Sequence, residues 1–186
     1  MAENNDESVH SNFWANIFKS PSGKPDFERT IQTVPPFKYL KKRDLTQIYR
    51  IIHDRNYVAG EYIFMQGDPG IGLYIIREGE ISIQRKTENG TIIHLAEFKK
   101  GDFFGELALV DGEKRSASAI AKTDAKISVI FKPDLDEFIE THPKIGIKVL
   151  NGIAEIIAVR LRALNEDYIS ILTSRLQSGE SRLKLN

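Results

Sequence analysis

Gly101-Asp-Phe-Phe-Gly-Glu-Leu-Ala-Leu-Val-Asp-Gly-Glu-Lys-Arg-Ser-Ala-Ser-Ala-Ile-Ala121 changes character three times in one short span. Phe103 and Phe104 read as a strand end, Gly105 lets the backbone turn sharply, and about one turn of helix opens at Glu106. Backbone N–H groups at a helix start have no intrahelical partner, so an anion is welcome there. The helix breaks at Asp111-Gly112. The chain then passes Glu113 and Lys114 to Arg115 and Ser116 before the small residues Ala117, Ser118 and Ala119 resume a strand. One guanidinium and one hydroxyl therefore stand beside the helix amides. Arginine offers a planar fork that matches two phosphate oxygens, and serine can add a third hydrogen bond. Glu106 would be repelled by a bare phosphate, but a carboxylate accepts readily from a sugar hydroxyl, as acidic residues do from a ribose 2′-OH in dinucleotide sites. A ligand with a phosphate and a sugar hydroxyl close together meets both demands.

Outward from this stretch the hydrophobic period is two. Tyr62 and Phe64, Leu73 to Ile76, Ile81 and Ile83, and Ile92 to Phe98 read as strands, separated by Gly67-Asp-Pro-Gly70, Gly79 and Asn89-Gly90. Asn-Gly between strand-like runs predicts a type I′ hairpin turn. Ala117 to Ala121 and the alternating Ile127, Val129 and Phe131 close the set. So many short strands at regular spacing predict an antiparallel roll or jelly-roll barrel. Before the strands, Leu45, Ile48, Ile51 and Ile52 predict a helix over Arg43 to His53. The fold class is α+β: a β-roll with N-terminal helices and a long C-terminal helix. Three segments follow, an extension with short helices at 1–33, the roll with flanking helices at 34–142, and the long helix and tail at 143–186.

The sequence Phe104-Gly-Glu-Leu-Ala-Leu109 followed by Arg115-Ser-Ala-Ser-Ala119 strongly resembles the phosphate-binding cassette of cyclic-nucleotide-binding domains of the catabolite activator and protein kinase A regulatory type. The resemblance runs from about Val34 to about Leu164. It implies that Glu106 holds the ribose 2′-OH and Arg115 the cyclic phosphate, within a ligand site formed by Phe104, Gly105, Glu106, Leu107, Ala108, Arg115, Ser116 and Ala117. Cyclic AMP is the expected ligand and cyclic GMP the alternative: in the family, threonine directly after the arginine accompanies cyclic GMP selectivity, and here that position is Ser116. Asn165 resembles the place from which the activator branch sends a small polar side chain toward the adenine amino group, and asparagine can both donate and accept there.

Lys132-Pro133 starts a helix with proline in its first turn, and Thr141-His-Pro143 begins another that meets no further proline. Apolar residues at three- and four-residue steps from Ile153 to Ile171 give it a stripe broader than one packing face requires. Gly146 and Gly152 weaken its first turns by about 1 kcal/mol each relative to alanine. In the family this region covers the nucleotide and, in one branch, pairs with its own copy, so a homodimer is expected. The activator branch continues into a DNA-reading module. Here only about ten residues follow the helix, which is expected to run to about Leu176, and the expectation is a stand-alone sensor acting through an unidentified effector protein or through assembly. A structural or dimerising module of the same fold is the alternative. Near the N-terminus, Phe13, Trp14, Ile17 and Phe18 fit one face of a short helix that docks on the domain or, alternatively, anchors a partner protein, and Asp26 to Thr33 suggests another short helix.

Composition removes other classes. The 26 basic and 26 acidic residues cancel, giving no electrostatic support for nucleic-acid or anionic-membrane binding. There is no cysteine, hence no disulfide framework or thiolate nucleophile. No apolar run approaches a membrane span and the polar opening is unlike a signal peptide, so a cytoplasmic location is expected. A cupin-like metalloenzyme would need clustered ligands. His10, His53, His94 and His142 are scattered, with only His94 in a predicted strand, and Ser116 has no base nearby in sequence. Neither a catalytic residue, a metal nor a cofactor is expected.

Overall fold

The computed structural model describes Ile31 and residues 34–183. The aromatic segment Phe13 to Phe18 and the helix expected over Asp26 to Thr33, apart from Ile31, lie outside the described residues. Eight strands form two four-stranded antiparallel sheets: β1 (Ile52–Tyr57), β2 (Tyr62–Phe64), β3 (Gly72–Glu78), β4 (Glu80–Lys86), β5 (Ile92–Lys99), β6 (Phe103–Phe104), β7 (Ser118–Ala121) and β8 (Ala125–Phe131). The orders are β1-β8-β3-β6 and β2-β7-β4-β5. Helix α1 (Lys42–Ile48) precedes them, α2 (Leu107–Val110) lies between β6 and β7, and α3 (Lys132–Thr141) and the 41-residue α4 (Pro143–Leu183) follow.

The uninterrupted apolar run Leu73 to Ile76 reflects a strand buried on both faces. Successive side chains of a strand point to opposite sides, so Leu73 and Ile75 join Ile130, Leu135, Phe138, Val149 and Ile153 in a core between sheet and helices. Tyr74 and Ile76 point the other way, into the roll, with Ile63, Ile81, Phe104 and Ile127.

Three expectations are corrected. The helix expected over Arg43 to His53 ends at Ile48; a 3-10 turn covers Tyr49–Ile51, and Ile52 already opens β1. This strand escaped the periodicity because its middle is polar. Asp54 accepts from Ser128 Oγ (2.7 Å) and Arg77 Nη1 (2.8 Å), which makes those polar positions tolerable on a covered face. His53 thus also lies in a strand, and its Nε2 is 2.8 Å from Asp134 Oδ2. The Asn89-Gly90 connection is not type I′, since only Gly90 has positive φ (85°), and its N–H closes on Thr87 O at 2.9 Å. That is the three-residue connection in which a type I turn is followed by a left-handed residue.

The two glycines of α4 serve close approach. A Cβ on Gly152 would stand 2.7 Å from Pro36 Cα, and one on Gly146 would stand 2.8 Å from Ile139 Cγ1. Losing helix propensity there lets the Pro35–Phe37 turn and α3 lie directly on the long helix. Lys38 Nζ and Tyr39 Oη donate to Glu155 at 2.7 and 2.9 Å, and Lys148 Nζ donates to Asp44 Oδ2 at 2.9 Å. The first part of α4 is therefore pinned to α1 and the turn before it, whereas Leu161, Leu164, Tyr168 and Ile171 are exposed.

Candidate functional site

Gly105 (φ 82°) turns the chain out of β6. A side chain is excluded there as well as the backbone conformation being unfavourable, because a Cβ would stand 2.8 Å from Gly72 O and 2.9 Å from Arg115 Nη1. The turn leads into the four-residue helix α2, with Glu106 at its N-cap. On the far side, Arg115 is fixed through its backbone: its N–H donates to Asp68 O and its carbonyl accepts from Gly67 N, both at 2.8 Å. The Gly67-Asp68 turn and the loop segment that carries Arg115 thus hold one another.

The Arg115 side chain is 6% exposed. Its Nη1 donates to Gly105 O at 3.2 Å and its Nη2 to Gly72 O at 2.9 Å, while the buried Nε has no hydrogen-bond partner. The guanidinium lies 4.2 Å over the Phe64 ring and 5.3 Å over Tyr74. Burial pushes its pKa below the ordinary value, against the opposing influence of Tyr74 and Glu106, and burial likewise pushes the Tyr74 phenol up. Arginine keeps its proton under such conditions, so a desolvated cation is positioned by neutral carbonyls that leave its charge intact.

Glu106, 3% exposed, accepts a hydrogen bond from Arg160 Nη1 of α4. Arg160 Nη2 also donates to Phe103 O at 3.1 Å, and its guanidinium lies 5.0 Å from the Phe103 ring and 5.6 Å from Phe98. Arg160 thereby fastens the long helix to the cassette at the Glu106 carboxylate and the Phe103 carbonyl.

Between these groups is an open cavity of about 280 Å³. It brings together all eight cassette residues singled out from sequence, with Ser116 exposed and Ala117 buried. Phe64, Ile83 and Arg160 also line it, as do Asp111, Glu113 and Lys114. Asn165 is not brought to this cavity and is exposed. Five residues of helix rotate a side chain by about 140°, so when Arg160 faces the cassette Asn165 faces away. Sequence reasoning missed Arg160 because Arg160 and Arg162 look alike until the phase of the helix against the roll is known. Phe64 read only as a strand residue. Among the described residues no group of three or more His, Asp or Glu is placed to hold a metal ion, and no helix is long and apolar enough to cross a membrane.

The model of the cyclic nucleotide-binding domain matches residues 54–142. The cyclic AMP receptor protein of Thermus thermophilus is 31% identical over 153 residues, 81% of this chain and 69% of that protein. The cAMP-dependent protein kinase regulatory subunit of Aspergillus niger is 35% identical over 102 residues, 55% of this chain; the match spans about a quarter of the subunit's length (24%). Among solved structures, the Thermus thermophilus catabolite activator protein superposes with a TM-score of 0.64 at 33% identity, covering 73% of this chain and 63% of that one. With the roll, the cassette and the two-thirds coverage of the receptor protein agreeing, the chain belongs to the cyclic nucleotide-binding domain family.

Proposed function

We propose that the chain binds one cyclic nucleotide, preferentially cyclic AMP, in the cavity between the cassette and Arg160, and passes the bound state to an effector protein. The observation that carries this reading is the buried Arg115 guanidinium, with an unpartnered Nε–H, beside a carboxylate in a cavity at the small end of ligand sites. The charged lining balances, Arg115, Arg160 and Lys114 against Glu106, Asp111 and Glu113, and since Arg160 engages Glu106, the buried Arg115 is the cation left to meet the monoanion of a cyclic phosphate diester. The phosphate would take the free Nε–H and a remaining terminal N–H of Arg115. A ribose 2′-OH would donate to the Glu106 oxygen that Arg160 leaves open. Since Glu106 then serves both ligand and helix, the nucleotide binds best when α4 is fastened down, and by linkage it stabilises that state. Ser116 keeps a hydroxyl but is not threonine, which favours adenine. A base edge that strands a polar group costs ~1–3 kcal/mol, so the preference is measurable.

Assembly is part of the proposal. From Leu161 through Leu164 and Tyr168 to Ile171, exposed apolar residues on α4 recur in alternating steps of three and four, in the same heptad register as the exposed Ile147 and Leu150, the pattern of a helix that pairs with its own copy. In a parallel pair with that register, Arg160 and Asn165 occupy flanking positions that face each other across the seam. Asn165 of a second copy, rather than that of the same chain, would then approach the base. Competition binding with fluorescent cyclic AMP tests the ligand: unlabelled cyclic AMP is expected to displace it better than cyclic GMP, and the reverse order overturns the base assignment. Sedimentation equilibrium tests the pairing, with a dimer expected for the wild type and a monomer for Leu164→Glu; a monomeric wild type removes the second copy from the site.

A further inference from the structure

Phe64, partly buried against the core of the roll, turns an aromatic face to a cation. Its ring lies 4.2 Å from Arg115 Cζ and also forms part of the cavity wall. Behind it, the ring contacts Tyr74 (5.3 Å, 53°) and Phe104 (5.8 Å, 49°), and these two stack on each other at 5.2 Å with only 7° between their planes. Phe64 therefore has little freedom to leave the guanidinium. Arg115 needs such support. Its hydrogen bonds are to two backbone carbonyls in the plane of the guanidinium, Gly72 O and Gly105 O, and Glu106 is engaged by Arg160. In-plane acceptors fix two edges of a planar cation but do not cover its faces. A face left open would admit water and allow the long side chain to tilt.

We infer that Phe64 is a positioning residue for the nucleotide phosphate, holding the Arg115 guanidinium flat and dry by cation–π stacking so that its free Nε–H edge is presented to the ligand. The inference rests on the cyclic-nucleotide reading of the cavity and adds a residue to it. A carboxylate could hold the arginine as firmly, but it would cancel the charge that the phosphate needs. An aromatic face attracts the cation and leaves its net charge unchanged. The gain to binding is that of pre-organisation: an arginine already held in one rotamer loses less freedom when the ligand arrives.

The test compares Phe64→Leu with Phe64→Tyr, using cyclic AMP titrations of the wild type, each variant, Arg115→Ala and the Phe64→Leu/Arg115→Ala double variant. Leucine keeps apolar bulk but loses the π face, so affinity should fall about three- to tenfold, whereas tyrosine should retain most of the wild-type affinity. Because Phe64 acts through Arg115, Phe64→Leu should add little to the loss already caused by Arg115→Ala. Thermal unfolding of each variant separates this from damage to the roll, since a structural role alone would lower stability with leucine while leaving the two losses additive. A leucine variant that binds like the wild type, or fully additive losses, overturns the inference while leaving the ligand assignment standing. A wild-type protein that binds neither cyclic AMP nor cyclic GMP overturns both.

Discussion

Replacing Arg160 by alanine removes the one fastening, among the described residues, between the cassette carboxylate and the long helix. The side chain gives Glu106 a charged hydrogen bond, gives Phe103 O a second at 3.1 Å, and lies against the rings of Phe103 and Phe98. Truncating one partner of a buried, hydrogen-bonded charge pair costs ~2–5 kcal/mol, mostly because the other charge is stranded. Glu106 meets that description, but the Arg160 side chain is 38% exposed, so solvent screens the pair and about 1–2 kcal/mol is the realistic loss. A change of that size in a local opening equilibrium speeds exchange of the affected amides about 5- to 30-fold. Hydrogen exchange followed by mass spectrometry should show it in α4 around Ile157 to Leu164, with little change near Ile153, where α4 is held by the core and by Gly152 packing on Pro36. Arg162→Ala is the control: this residue is exposed on another face of the helix and should leave exchange unchanged. Equal exchange in wild type and Arg160→Ala would refute the idea that this contact holds the helix.

Arg115→Ala should weaken cyclic-nucleotide binding by roughly 30-fold or more, and Arg115→Lys should recover little because the fork is lost; calorimetry showing near-normal affinity for either variant counts against the assignment. Gly152→Ala raises helix propensity but drives a Cβ into Pro36 backbone, so net destabilisation of about 1–3 kcal/mol is expected in urea unfolding, and a stabilised variant would contradict the packing. Asp44 is held below the ordinary aspartate range, first by its hydrogen bond from Lys148. A carboxyl whose folded pKa is depressed stabilises the fold above its unfolded value of about 3.9 and loses that contribution as pH falls through the folded value. Asp44→Asn should therefore cost about 1 kcal/mol or less at pH 7 and progressively less as the pH falls through the folded value, and a difference that does not shrink in acid would refute the linkage.

The parts of the fold that were legible in the sequence are those where one residue does one local job. Alternation named most strands, Pro133 and Pro143 marked the starts of α3 and α4, and the cassette carried its spacing in a single unbroken stretch. What was not legible depends on tertiary neighbours. Polar side chains in β1 are satisfied by Ser128 and Arg77, so its pattern did not read as a half-buried strand. Gly146 and Gly152 looked like weak points of a helix, and only the crossing of α3 and the Pro35–Phe37 turn explains them. The same holds at the site. Arg160 enters through helical phase, Phe64 through a ring contact across the roll, and Asn165 resembled a base reader by position although the helix of its own chain turns it outward.

Isothermal titration of cyclic AMP into the purified wild-type protein tests the central claim most directly. Saturable binding with one nucleotide per chain is predicted, with AMP, whose phosphate is a dianion rather than a monoanionic cyclic diester, failing to compete at comparable concentration. Absence of saturable binding for cyclic AMP and cyclic GMP alike, in protein shown by native mass spectrometry to be free of bound nucleotide, would contradict it.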